Sequence, residues 1–120
     1  MDPSATSSRR IIGGIAIVGA LGRGKSYIAG QIAREALAAG QRVGWIWPRD
    51  SGHDAELPAE ILQLNAPSFA AVQDLVAGIR LDLVVIDSAE RLGVSAEHAS
   101  CMSEDLAKTI RIRVVMTVAP

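Results

Sequence analysis

The sequence has 120 residues, which suits a single domain with its own buried core. About half of them (49%) are hydrophobic, and a formal net charge of −1 leaves no broad basic surface for nucleic acid or for an anionic membrane. Cys101 is the only cysteine, which excludes an internal disulfide, and His53 and His98 are too far apart in sequence for a typical zinc site. We therefore expect one cytoplasmic domain with no membrane partner.

The first part of the chain predicts a tail followed by a buried strand. Residues 1–10 are polar and rich in serine, which predicts a flexible tail before a single domain at 11–120. The run at 11–18 is apolar on both faces, which is typical of a parallel strand covered by helices on both sides. Two arginines before this run resemble the start of a secretory signal. No cleavage site follows, however, and Arg23 and Lys25 interrupt the run, so we do not expect export.

A glycine-rich segment lies between this strand and a predicted helix. It matches the pattern G-x-x-x-x-G-K-[ST] at every specified position and reads Gly19-Ala20-Leu21-Gly22-Arg23-Gly24-Lys25-Ser26. Helical periodicity follows over 25–39, and Gly40 is placed to end the helix. The predicted inner face of this helix comprises Ile28, Ile32, Ala36 and Leu37. A strand, a glycine loop and a helix in this order surround an anion with backbone N–H groups, so the segment predicts nucleotide phosphate binding.

The rest of the chain continues to alternate between strands and helices. Strands are predicted at 42–47, 81–86 and 113–118, and helices at 67–79 and 95–109. Residues 61–64 form a short apolar piece that is either an edge strand or a helical turn. This alternation predicts an α/β fold, a three-layer sandwich with a mostly parallel central sheet.

An aspartate ends the most apolar of the predicted strands. Asp87 follows Val84, Val85 and Ile86, which places it at the carboxyl edge of the sheet, where open α/β sheets bind ligands. Mg²⁺ on nucleotide phosphates commonly takes one hydroxyl and one carboxylate from the protein. After a complete glycine loop, Asp87 therefore predicts a metal ligand. A carboxylate that only caps the following turn is the simpler alternative.

These two motifs, in this order, resemble the core of the RecA-like P-loop ATPases, which include recombinases, ring helicases and related motors. The sequence V-V-I-D-S at 84–88 is similar to the aspartate strand of that family, and 43–47 and 61–67 resemble its two intervening strands. The resemblance extends over 11–118, but its specific part is the two nucleotide motifs. It implies ATP and Mg²⁺ as cofactors, and it implies that the last strand lies between the glycine-loop strand and the Asp87 strand.

The resemblance also implies a role for each matching residue. Lys25 would neutralise the β- and γ-phosphates, Ser26 would place its hydroxyl on Mg²⁺, and Asp87 would hold the metal through water. Backbone N–H groups of Gly22, Arg23 and Gly24 would approach the phosphates. The implied nucleotide-binding segment comprises Gly19, Ala20, Leu21, Gly22, Arg23, Gly24, Lys25, Ser26 and Tyr27.

The catalytic residues of the family are matched only in part. Its catalytic glutamate follows the second strand, where this chain has Arg49 and Asp50. We take Asp50, together with Lys25, as the catalytic candidates, and a solvated loop carboxylate is the alternative for Asp50. Glu90 is a poor geometric candidate, because it follows Asp87 by three positions in a predicted turn. Thr117 is the only hydroxyl near the place of the family's γ-phosphate sensor.

Because the catalytic residues are matched only in part, we expect a second chain to complete the site. Candidates for an arginine that reaches a neighbouring subunit's nucleotide are Arg23, Arg49, Arg91, Arg111 and Arg113. We expect an ATP-binding domain that hydrolyses ATP with Mg²⁺ and is completed by a homo-oligomer or a protein partner. The alternative is a nucleotide-sensing module without turnover. A phosphotransferase would need a longer lid than 48–58 offers, and a fragment of a longer motor also fits. The near-neutral charge does not support nucleic acid as a partner.

Overall fold

The computed structural model of this chain describes residues 12–19 and 23–120. In chain order its elements are β1 (Gly13–Val18), α1 (Arg23–Ala38), β2 (Val43–Pro48), β3 (Leu62–Ala66), α2 (Phe69–Ala77), β4 (Leu83–Ile86), a 3₁₀-helix (Ala89–Leu92), α3 (Ala99–Ile110) and β5 (Arg113–Val118). The predicted tail lies outside the described residues, as do Ala20, Leu21 and Gly22 of the predicted phosphate loop and the side chain of Arg23.

The five strands form one parallel sheet in the order β1-β5-β4-β2-β3. β5 therefore lies between β1 and β4, which is the order expected for the glycine-loop strand and the Asp87 strand. The apolar piece that the sequence left open is the edge strand β3, and β5 has the predicted bounds. The predicted α/β fold with a parallel sheet is confirmed.

Helices lie on both faces of the sheet, which fits a three-layer sandwich. Buried residues on one face join α1 to the sheet and include Ala29, Ala33, Ala36, Trp45, Val85 and Val115. Buried residues on the opposite face join α2 and α3 to the sheet and include Val72, Val76, Leu106, Ala107, Ile46, Ile86 and Met116. Because side chains alternate along a strand, each central strand contributes to both cores.

The buried face of α1 agrees with the predicted one in part, since Ala36 is buried and Ile32 and Leu37 pack against the same cluster. Ile28, expected on the inner face, is 48% exposed, whereas Ala29 and Ala33 are fully buried. The buried cluster on this side of the sheet also contains the large Trp45 side chain. Small alanines let the helix backbone lie close to such a surface, which larger side chains at the same positions would prevent. The prediction favoured the larger apolar residues for the buried face and therefore missed the small alanines.

β1 is an edge strand, and helices cover its two faces only in part, with Ala16 packed on the α3 side and Ile17 on the α1 side. Ile15 and Val18 are 48% and 49% exposed. On the α3 side, Gly14 lies directly against the backbone of the helix, since a Cβ at this position would collide with the carbonyl group of Ser103. Glycine is required here because no side chain fits between the strand and the helix.

The ends and lengths of the helices follow ordinary rules. Gly40 follows α1 with a left-handed φ of 81°, and its N–H donates to the carbonyl of Leu37 at 2.9 Å, as predicted for a glycine that ends a helix. α1 is the longest helix in the described ranges, with 16 residues. None of the helices at 12–19 and 23–120 is long and apolar enough to cross a membrane.

Candidate functional site

Those predicted site residues that the structure describes lie near the carboxyl edge of the sheet. In a parallel sheet all strands end at the same edge, and open α/β folds bind ligands there. α1 begins shortly after β1 ends, so its amino end lies at this edge, with Ser26 in the first turn. Asp87 directly follows β4, and Thr117 lies near the end of β5.

Ser26 and Asp87 are in direct contact. The Ser26 Oγ lies 3.2 Å from Oδ1 and 3.1 Å from Oδ2 of Asp87, although the two residues are 61 positions apart in sequence. Asp87 is only 3% exposed, whereas Ser26 is exposed. The structure thus brings together the hydroxyl and the carboxylate that the sequence predicted separately, and places them at the boundary between the protein interior and solvent.

Thr117 holds the same carboxylate from the interior. Its Oγ1 donates to Asp87 Oδ1 at 2.6 Å and accepts the N–H of Ser88 at 2.8 Å. Thr117 is completely buried, and Ser88 has the left-handed backbone angles φ 59° and ψ 51°. The sequence placed Thr117 near a phosphate-sensor position, but it did not indicate this contact with Asp87.

Lys25 lies beside the end of β1. A Cβ added to Gly19 would lie 3.6 Å from Lys25 Cγ and 3.7 Å from its Cδ, so the lysine stem passes alongside this glycine. The N–H of Gly19 donates to the carbonyl of Val118 at 3.2 Å, which extends the pairing of β1 with β5. The first turn of α1 contains no acidic residue. The N–H groups in the first turn of a helix have no carbonyl partner within the helix, and together with the helix dipole they make this end of the site positive.

Asp50 lies at the same edge of the sheet, in the turn after β2, and its side chain is exposed. The turn is held by Asn65 of β3, whose Nδ2 donates to the carbonyls of Pro48 at 3.0 Å and Ser51 at 2.9 Å. Because the amide nitrogen donates to these carbonyls, the other amide atom in the contact with His53 is the oxygen. Asn65 Oδ1 can only accept, so His53 Nε2 donates to it, at 2.6 Å. The backbone around Asp50 is thus anchored. The catalytic role of Asp50 stays a prediction.

Two further side chains, those of Gln63 and Arg91, hold the loop that follows this turn. Gln63 Oε1 accepts from Trp47 Nε1 at 2.8 Å and from the N–H of Asp54 at 2.9 Å, and Gln63 Nε2 donates to the carbonyl of Asp54 at 2.8 Å. Arg91 Nη1 donates to Ser51 Oγ at 2.7 Å. The loop between β2 and β3 is therefore connected both to β3 and to the 3₁₀-helix after Asp87. No local sequence pattern indicates these contacts.

Glu90 and Tyr27 have positions that limit their roles. The Glu90 carboxylate accepts the N–H of Ala119 at 2.9 Å, so it holds the chain just after β5. Tyr27 is 64% exposed, and its hydroxyl accepts from Gln31 Nε2 at 2.9 Å, one turn further along α1. Tyr27 was predicted within the nucleotide-binding segment. Its ring lies on the solvent side of the helix.

The site offers oxygen atoms rather than a preformed metal cage. Within the described parts of the chain, no group of three or more histidine, cysteine, aspartate or glutamate side chains could hold a metal ion. A carboxylate has about four acceptor positions. The donors to Asp87 described above are the hydroxyls of Ser26 and Thr117. Asp87 can therefore accept further hydrogen bonds from metal-bound water on the side of α1.

Comparisons with known proteins add no family to these observations. The sequence matches none of the protein-family models, and no curated protein shows significant similarity to it. The chemistry of the site is accordingly inferred from its own residues and from their geometry.

Proposed function

We propose that this domain binds ATP together with Mg²⁺ through the glycine loop at 19–26 and hydrolyses it slowly, as a small RecA-like P-loop domain. The observation that carries the proposal is the contact of Ser26 with both carboxylate oxygens of Asp87, at 3.2 and 3.1 Å. A glycine loop followed by a helix binds phosphates, and a hydroxyl beside a carboxylate suits a metal ion on those phosphates. The position of β5 between β1 and β4 also supports the RecA-like arrangement.

The charges at the amino end of α1 suit a triphosphate. Lys25 contributes an ammonium group, and the helix end contributes partial positive charge from N–H groups that have no carbonyl partner within the helix. The first turn carries no acidic side chain that would repel the phosphates. Together these groups bind the anion without a broad basic surface, which agrees with the net charge of −1.

The donor set fits Mg²⁺, which prefers oxygen ligands and usually keeps several of its waters. Ser26 would bind the metal directly, and Asp87 would bind it through water. When bound, the ion supplies positive charge that neutralises the phosphate oxygens. The protein's own part is to hold the hydroxyl and the carboxylate next to each other before the nucleotide arrives.

Hydrolysis needs a group that orients or deprotonates the attacking water. Asp50 is the candidate on this chain, since it lies at the same edge of the sheet on an anchored turn. Its exposure fits a site that is completed by a second copy of the chain or by a protein partner, which would exclude water from the reacting group. An arginine from that neighbour would complete the charge stabilisation.

A nucleotide-sensing module that does not turn ATP over is the second candidate. Two observations favour it: the Thr117 hydroxyl donates its proton to Asp87, and the Glu90 carboxylate accepts the N–H of Ala119. Neither group is directed at a phosphate or at an attacking water. Single-turnover assays separate the two candidates, because the ATPase releases phosphate and the sensing module only binds.

The direct test is nucleotide-dependent stability. Mg-ATP at about 100 times its dissociation constant should raise the free energy of unfolding by about 2.7 kcal/mol. Lys25→Ala should lose most of this gain, because it removes the ammonium group beside the phosphates. Thermal unfolding with and without Mg-ATP measures the effect.

Lys108 provides the matched control, since it is the only other lysine and lies exposed in the last turn of α3. Lys108→Ala should keep the full stabilisation by Mg-ATP. Equal unfolding temperatures with and without millimolar Mg-ATP in the parent protein would overturn the proposed function.

A further inference from the structure

We propose that Thr117 is a positioning residue for the metal-binding carboxylate. Its hydroxyl holds Oδ1 of Asp87 inside the protein, so that Oδ2 is left facing α1 for hydrated Mg²⁺. This inference rests on the proposed binding of Mg-ATP. It adds a residue that neither nucleotide motif contains, on a strand that follows both motifs in the sequence.

The register of the sheet places Thr117 beside Asp87. Ile86 of β4 pairs with Met116 of β5, so the next residue on each strand reaches the same level of the sheet. Val115, two positions before Thr117, packs in the cluster on the α1 side, and side chains two positions apart point to the same face. Thr117 therefore directs its hydroxyl to the face where Ser26 meets Asp87.

The hydrogen-bond roles of Thr117 follow from its partners. The backbone N–H of Ser88 can only donate, so Thr117 Oγ1 accepts in that contact, at 2.8 Å. An ionised carboxylate can only accept, so the single hydroxyl proton of Thr117 goes to Asp87 Oδ1, at 2.6 Å. With its proton used in this way, Thr117 cannot donate to a nucleotide phosphate. It acts on the nucleotide through Asp87.

The two oxygens of Asp87 consequently have different surroundings. Oδ1 accepts the short bond from Thr117 and lies 3.2 Å from the Ser26 Oγ, whereas Oδ2 lies 3.1 Å from the same Oγ. The serine carries one proton, which these two longer contacts share. Because the Thr117 hydroxyl binds only Oδ1, it fixes the rotation of the carboxylate about χ2, a torsion angle that otherwise has a broad distribution. Groups that orient a metal ligand in this way commonly affect metal affinity.

The same hydroxyl also holds the turn after the strand. Ser88 has a left-handed backbone, which is unfavourable for a residue other than glycine, and the bond from its N–H to Thr117 stabilises that turn. Both the side chain of Asp87 and the peptide that follows it are thus fixed to one buried atom of β5. A substitution that removes this atom should release the carboxylate without removing any charge from the site.

The test compares Thr117→Val with Thr117→Ser in Mg²⁺ titrations of ATP binding. Valine keeps the volume and removes the hydroxyl, so the Mg²⁺ concentration for half-maximal enhancement of ATP binding should rise about 10- to 100-fold. Serine keeps the hydroxyl and should stay within about threefold of the parent. ATP binding in excess chelator should be equal in all three proteins. Thr109→Val, at an exposed threonine of α3, is the matched control and should behave as the parent.

Amide hydrogen exchange at Ser88, without nucleotide, gives an independent readout of the contact. Exchange should be faster in Thr117→Val and slow in the parent and in Thr117→Ser. If the valine variant does not fold, Thr117→Cys replaces it, because a thiol is a weak donor and should shift the Mg²⁺ dependence in the same direction.

Three outcomes are decisive. An unchanged Mg²⁺ dependence in Thr117→Val overturns the positioning role while leaving the proposed function intact. Failure of Thr117→Ser to restore the parent's Mg²⁺ dependence also overturns it, because the effect would then come from packing. If the parent protein itself shows no Mg²⁺-dependent ATP binding, the proposed function fails and the inference fails with it.

Discussion

At the carboxyl ends of β4 and β5, hydroxyl side chains bond to the carboxylate of Asp87, whereas beside β2 and β3 the amide side chains of Gln63 and Asn65 bond mainly to the backbone of a loop. After the proposed role of its residues, we call the first region the metal half (Ser26, Asp87 and Thr117), and we call the second the loop half (residues 49–54 with Gln63 and Asn65). In the metal half a buried carboxylate is held by two hydroxyls. In the loop half two amide side chains hold the main chain and leave Asp50 exposed.

The two halves differ in how far their side chains are ordered before a ligand binds. Side chains that are held in place lose little further freedom on binding, so the metal half is preorganised. The loop half fixes the path of the backbone but not the direction of the Asp50 carboxylate. Binding of nucleotide and metal should therefore depend on the metal half, and the rate of hydrolysis should depend on whatever orders the loop half.

The largest expected effect is that of Asp87→Asn, which tests the metal half. The substitution keeps the size and removes the charge, so we expect the Mg²⁺ dependence of ATP binding to disappear. Single-turnover hydrolysis should fall about 1000-fold, which corresponds to about 4 kcal/mol of activation free energy. Asp74→Asn, at an exposed aspartate of α2, is the control and should match the parent. A hydrolysis rate in Asp87→Asn equal to that of the parent would show that Asp87 has no role in the proposed site.

The next effect tests the loop half through Asp50→Asn. If Asp50 is the base for the attacking water, hydrolysis should fall about 100-fold, because general bases contribute at least that much. ATP affinity should stay unchanged, since the residue is not part of the metal half. Glu56→Gln, an exposed carboxylate in the same loop, is the control for single-turnover assays. An unchanged rate in Asp50→Asn would assign the base to a second copy or to a partner.

Asn65→Leu tests whether the amide of Asn65 holds the loop. The substitution leaves the carbonyls of Pro48 and Ser51 without this donor, so the free energy of unfolding should fall by about 1 to 2 kcal/mol. Urea denaturation measures the change, and Gln73→Leu, at an exposed position of α2, controls for the apolar replacement. The idea fails if Asn65→Leu and Gln73→Leu have equal stabilities.

The smallest effect concerns the link between the loop and the 3₁₀-helix. Arg91 Nη1 donates to Ser51 Oγ at 2.7 Å, but the contact is exposed, so water competes for both groups. A double-mutant cycle of Arg91→Ala and Ser51→Ala should give a coupling energy below about 0.5 kcal/mol. A coupling above about 1 kcal/mol would mean that the loop half is more firmly held than its exposure indicates.

Much of the fold could be predicted because its signals are local in sequence. The apolar run ending at Asp87 and the glycine that ends α1 each depend on a few neighbouring residues. The strand at 113–118 was predicted with its bounds, and Gly40 has the positive φ that a helix end requires. The parallel α/β arrangement followed from the alternation of such signals.

The features that could not be predicted depend on contacts between residues that are far apart in the sequence. The contact of Thr117 with Asp87 depends on the pairing of Ile86 with Met116, and a shift of one residue would turn Thr117 to the other face. The exposure of Ile28 depends on how closely α1 approaches the sheet, which its alanines allow. The partial exposure of β1 follows from its position at the edge of the sheet, which no local pattern predicts.

The contact of Gly14 with the backbone of Ser103 has a mechanical consequence. Because strand and helix meet there without an intervening side chain, β1 cannot be displaced toward α3 without pushing the whole helix outward. The chain's single cysteine, Cys101, lies exposed on that helix. A fluorophore attached to this thiol would therefore report a displacement of α3 that is caused by movement of β1, the strand that leads into the glycine loop.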